Sequence, residues 1–209
     1  MTESTDTDDT ESRIMDSHTN FINKRIITAI ENLQKLNSNN DILNRITDAA
    51  RLIVDAVKSG NKLMICGNGG SAADAQHVAG EFVCRFYKGR EPLPAIALTT
   101  DTSVLTSISN DYSYDDVFSR QVKALGKSGD VLLGISTSGS SINVLEAFKT
   151  AQAMGIKTVF LTGQIEKEIA KISDLTIHTP STDTPRIQEM HLLIEHIICE
   201  IVEKELFKN

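Results

Sequence analysis

The chain has 209 residues, 40% of them hydrophobic and 23% charged, a globular balance that a single packed core accommodates. Its net charge of −7, with no cluster of Lys or Arg, argues against a nucleic-acid surface. Cys66, Cys84 and Cys199 are scattered and lack CxxC spacing, so the sequence suggests neither a disulfide framework nor a thiolate metal site, and a reducing cytoplasm fits best.

In chain order, residues 1–18 are expected to form a disordered acidic tail and residues 19–209 one domain. The first dozen residues hold five acidic side chains and no basic ones, a composition that buries too little to order itself. They lack the basic start and apolar middle of a signal peptide. No later run reaches the ~18 apolar residues of a membrane span, so no membrane role is expected.

Phe21, Ile22, Ile26, Ile27, Ala29, Ile30, Leu33 and Leu36 follow helical spacing, and a second such run covers Ile42 to Val57 before Gly60. Short apolar runs then alternate with helical patterns. Lys62–Cys66, Ala95–Leu98, Val131–Ile135, Thr158–Leu161 and Leu175–His178 read as strands. This alternation predicts an α/β fold, a parallel sheet between layers of helices. A last helix is expected from near Pro185 to Leu206, with Asp183 or Thr184 as its cap.

In open parallel sheets ligands bind beyond the carboxyl ends of the strands, which focuses attention on the loops there. The stretch MICGNGGSAADAQHVAGE, Met64 to Glu81, runs from strand through a glycine turn into a helix expected to open at Ser71. Free N–H groups at that helix start, helped by the macrodipole, suit an anion. His77 and Glu81 share one helix face at i, i+4, a spacing that serves a metal or an acid–base pair and equally a solvated surface pair. GxGxxG and the Walker pattern are both absent, which disfavours a dinucleotide or ATP site.

Ser136, Thr137, Ser138, Gly139, Ser140 and Ser141 follow the third strand and lead into a helix from Asn143 to Met154. Four serines and a threonine exceed what a turn and one cap require, so this loop is the better phosphate seat. With no Lys or Arg inside it, the phosphate belongs to a small metabolite held mainly by neutral donors.

With GNGGSAADAQH, ISTSGSS and RIQEMH at this spacing, residues 20 to 207 resemble the sugar isomerase (SIS) family, within it the sedoheptulose-7-phosphate isomerases. The resemblance implies a flavodoxin-like three-layer fold and a homotetramer with active sites at subunit interfaces. It implies substrate contacts at Asn68, Gly69, Gly70, Ser71, Asn110, Asp111, Ser136, Thr137, Ser138 and Ser141, and also at Glu81 and Gln188. It implies one zinc ion per active site, held by His77, Glu81, Gln188 and His196. His191 reads as a packing residue, and His18 and His178 have no motif around them.

Gln188 and His196 are eight residues apart, about 12 Å along one helix, too far for a single zinc ion. His196 is therefore expected to reach the site from a neighbouring subunit. The implied reaction converts D-sedoheptulose 7-phosphate to D-glycero-D-manno-heptose 7-phosphate through a cis-enediol, feeding heptose synthesis for lipopolysaccharide core. Glu81 serves as base and His196 as its acid–base partner. A rival expectation is a binding-only relative that regulates the replication initiator DnaA; Glu81 and His196, both present, speak for chemistry. An isomerase for another ketose phosphate is a third.

Overall fold

The computed structural model describes the backbone of residues 6–208 and the side-chain surroundings of residues 17–208. Two helices lead, α1 (Asp6–Asn37) and α2 (Asn40–Lys58). Asn39 caps α2, its side chain accepting from the Ile42 amide at 3.2 Å. The face of α2 carrying Ile42, Ile46, Ala49, Ala50, Ile53 and Val54 is buried, whereas α1 leaves Phe21, Ile22, Ile26, Ile27 and Ile30 about half exposed. The disordered stretch expected over residues 1–18 meets α1 from Asp6 onward, and residues 1–5 lie outside the described residues. An acidic run is compatible with a helix start, the positive end of the macrodipole.

Five parallel strands follow: β1 (Leu63–Gly67), β2 (Ala95–Ala97), β3 (Val131–Ser136), β4 (Lys157–Thr162) and β5 (Leu175–His178). Their spatial order is β2-β1-β3-β4-β5. Between them run α3 (Gly70–Val83), α4 (Thr102–Asp111), a 3-10 turn (Tyr114–Asp116), α5 (Val117–Leu125), α6 (Ile142–Ala153) and α7 (Glu168–Ile172), and α8 (Thr184–Leu206) closes the chain. Each expected strand is present to within a residue at either end.

The near-continuous apolar strands are explained by burial on both faces. Successive side chains of β1 alternate between two cores. Leu63 and Ile65 pack with α2, α3 and α8. Met64 and Cys66 pack with α5, α6 and Phe160 of β4. The result is the three-layer sandwich expected from the sequence. Among the described residues, no helix is long and apolar enough to cross a membrane.

Candidate active site

The strand order reverses between β1 and β3, and in doubly wound sheets the ligand crevice opens at that switch point. The two loops singled out from the sequence flank it. After β1, Gly69 takes φ 57°, a left-handed conformation in which glycine carries no Cβ penalty. The helix begins at Gly70, so Ser71 lies buried inside its first turn instead of opening it. Asn68 bridges the crevice. Its Nδ2 donates to Asn143 Oδ1 at 2.9 Å, and Asn143 Nδ2 returns the bond to Asn68 Oδ1 at 2.9 Å. The Tyr114 hydroxyl donates to the same Asn68 oxygen at 3.1 Å. Asn143 and Tyr114 carry no motif, so the sequence did not single them out.

After β3, the Ser136 and Ser141 hydroxyls lie 2.9 Å apart. Ser141 occupies the N-cap position of α6 but makes no side-chain cap bond, so helix capping does not account for its hydroxyl. Ser138 Oγ accepts from the Ser140 hydroxyl at 3.0 Å, and Thr137 lies between the two hydroxyl pairs in the loop. No Lys or Arg lies within this loop, but the stem of Lys167, from the connection after β4, packs against it, its Cγ 3.1 Å from where a Cβ on Gly139 would sit. Asn110 and Asp111 end α4, with Asn110 Nδ2 donating to Asp111 Oδ1 at 2.8 Å. They are exposed, three and four residues before Tyr114.

His77, Glu81 and His196 meet in a different place. Helices α3 and α8 run side by side in the same direction, so equal steps along each stay in register. Gln188 lies against Gly70, its amide where a Cβ on that glycine would be. About two turns further along, His77 Nε2 stands 2.7 Å from His196 Nε2, with Glu81 Oε1 3.7 Å from His77 Nε2. The expectation that His196 reaches His77 from a neighbouring subunit is therefore wrong, because this packing supplies it from the same chain. The separation between Gln188 and His196 stands, and Gln188 does not join the histidines within the protomer.

Two imidazole nitrogens and a carboxylate oxygen are donors that zinc accepts, so the chemistry of this set fits the implied metal. Among the described residues, no three or more His, Cys, Asp or Glu side chains form a ready-made metal cage.

Behind them lies a set of buried ionisable groups. Glu195, next to His196, is 1% exposed, and neither carboxyl oxygen has a hydrogen-bond partner. Burial, and secondarily the nearby Asp74 carboxylate, pushes its pKa up to about 8. Burial also raises Asp74, against the opposing pull of His77. His191 is fully buried and pushed down to about 4 by that burial, in keeping with its reading as a packing residue. Cys66 and Cys199 are buried thiols pushed up to about 12, while Cys84, just past α3, is exposed.

A flavodoxin-like sheet with a hydroxyl-lined loop at its switch point, and an imidazole–carboxylate group between α3 and α8, is the arrangement expected of an SIS domain. The SIS domain family model matches residues 23–163. The phosphoheptose isomerase of Clostridium acetobutylicum is 52% identical over 188 residues, covering 90% of this chain and 96% of that one. Phosphoheptose isomerase GmhA from Neisseria gonorrhoeae superposes with a TM-score of 0.84 at 41% identity, covering 89% of this chain and 98% of that one. The phosphoheptose isomerase from Francisella tularensis gives 0.85 at 35% identity, covering 90% and 98%. The chain belongs to the SIS domain family and, within it, to the phosphoheptose isomerases.

Proposed function

We infer that the protein is an aldose–ketose isomerase acting on D-sedoheptulose 7-phosphate to give D-glycero-D-manno-heptose 7-phosphate. The observation that carries the reading is the meeting of His77, Glu81 and His196 on facing helices, in a fold that also carries a hydroxyl loop fit for the phosphate. The binding-only alternative gains no support from the fold or the relatives.

Moving the carbonyl between C1 and C2 requires a proton to leave one carbon and return to its neighbour. Glu81 would carry it, and His196 would move protons on the two oxygens. Ser136, Thr137, Ser138 and Ser141, with the first-turn amides of α6, hold the phosphate and orient the reacting end, with Lys167 adding positive charge. Asn68, Gly69, Gly70 and Ser71 line the sugar side, and Asn110 and Asp111 face it from α4. His77, Glu81 and His196 would hold zinc, which when bound supplies a Lewis acid beside the carbonyl.

The site is completed by a second copy of the chain in a homotetramer. In one protomer the glycine turn and His77 are seven residues apart on α3, about 10 Å. Gln188 stays at the turn end, so a partner is required if it is to join the histidines. The exposed apolar stripe of α1 is the kind of surface that assembly covers. A reducing cytoplasm suits the three free thiols.

The test is an assay of purified protein with sedoheptulose 7-phosphate, after chelation and across a zinc titration, with sizing of the native protein. No aldose product at any metal concentration would sink the isomerase reading. A monomer with full turnover would sink the shared site.

A further inference from the structure

The residues that follow α3, 84–90, do not form an ordinary surface loop. They fold back onto α8 around one buried ion pair. Arg90 and Glu203 side chains are each 3% exposed, with Arg90 Nε 3.0 Å from Glu203 Oε1. Glu203 also accepts from three consecutive backbone amides, Phe86 at 3.1 Å, Tyr87 at 2.9 Å and Lys88 at 3.0 Å. Both carboxylate oxygens are thereby used, as burial of a charge demands.

The guanidinium works in the other direction. Arg90 Nη2 donates to the backbone carbonyl of Glu81 at 2.8 Å, and Nη1 donates to that of Phe82 at 2.9 Å. These carbonyls belong to the last turn of α3, where helix geometry leaves them without intrahelical donors and where a cation is favoured by the macrodipole. The turn that carries the proposed base is thus tied by a rigid fork to Glu203, which lies on α8 two turns beyond His196. The same clamp sets Phe86, whose ring centroid lies 5.8 Å from that of His196.

We propose that Arg90 and Glu203 are positioning residues for the isomerisation: through one buried ion pair they fix the end of α3 that bears Glu81 and the aromatic wall beside His196, and so set the distance between base and imidazole. Neither residue touches substrate. Their effect falls on the rate of the proton transfers and leaves the distant phosphate contacts untouched, because only the reacting end depends on this alignment.

A surface ion pair would be worth little and would tolerate exchange of its members. This one is buried, and its geometry is that of a planar fork, which a Lys ammonium cannot reproduce. The inference rests on Glu81 and His196 being the reacting groups, so the wild-type protein is assayed in parallel.

The experiment compares Arg90→Lys and Glu203→Gln with the wild type in steady-state kinetics on sedoheptulose 7-phosphate, with inhibition by inorganic phosphate as the readout of the anion seat and circular dichroism to establish folding. The expected result is a kcat lower by about tenfold or more in each folded variant, with KM and the phosphate inhibition constant within about twofold of wild type. Wild-type kcat in either folded variant overturns the inference while leaving the isomerase reading intact. So does failure of both variants to fold, which would assign the pair to stability alone, and so does a loss confined to KM. Absence of turnover in the wild type overturns the isomerase reading and this inference with it.

Discussion

At the carboxyl ends of β1 and β3 the polar groups are hydroxyls, carboxamides and backbone amides, and they find one another: Asn68 with Asn143 and Tyr114, Ser136 with Ser141, Ser138 with Ser140. Between α3 and α8 the polar groups beyond Gln188 are imidazoles and carboxylates, and neither carboxyl oxygen of the buried Glu195 has a hydrogen-bond partner. The first region offers neutral dipoles that the fold itself orients. The second holds groups able to change protonation state, in surroundings that push Glu195 up and His191 down from their ordinary range. On the reading proposed above, the contrast teaches that recognition and chemistry would use different parts of the same βα units: loops and helix starts for the anion, helix faces for the protons.

The sharpest way to break this division is Glu81→Gln, which keeps the shape of the side chain but removes the base. Turnover should fall about a thousandfold, within the range attributed to general acid–base groups, with inhibition by inorganic phosphate unchanged. Equal loss in both measurements would mean that the two regions are not separate. On the other side, Ser136→Ala removes a hydroxyl from the anion loop. KM should rise about tenfold with kcat within about threefold, as expected for one hydrogen bond to a charged group. A kcat effect larger than the KM effect would erase the contrast.

The third test concerns stability. Glu195 is raised from its ordinary 4.5 to about 8, so the native state keeps a proton that the unfolded chain has released. Between those values the native state binds more protons than the unfolded one, and stability falls as pH rises through the window. Glu195→Gln removes this slope. Its Tm advantage over wild type should grow from pH 5 to pH 8, reaching about 3 °C or more at the upper end. His191, pushed the other way to about 4, destabilises below its ordinary 6.5, but a comparison at matched pH cancels that contribution. A pH-independent difference in Tm would mean that Glu195 titrates normally. The smallest effect belongs to Tyr114→Phe, which removes one of two donors to Asn68 Oδ1 and should change KM by less than about threefold.

Much of this was legible in the sequence because burial on both faces writes itself as apolar runs, and because glycine and serine crowd the strand ends. The strands at 62–66 and 131–135 and both ligand loops could be read this way. Register between helices could not. Nothing in a linear sequence says that α3 and α8 lie side by side and in step, so spacing alone points His196 to a neighbour, whereas it lies beside His77 of the same chain. Tyr114 and Asn143 escaped for a related reason: each is a lone polar residue whose meaning comes only from what the fold sets opposite it. Arg90 and Glu203 are 113 residues apart in the chain and join across two helices. In the sequence they are an ordinary Arg and an ordinary Glu.

The cysteine distribution offers a practical handle. Cys66 and Cys199 are sealed in the interior as poorly ionised thiols, whereas Cys84 is exposed at the end of α3, two residues before Phe86. A maleimide dye or spin label added to the unmodified protein at neutral pH should therefore attach at that one position. The wild-type chain thus carries its own reporter group at the end of the helix that bears Glu81, and no engineered cysteine is needed to watch that turn while sugar phosphate is titrated in.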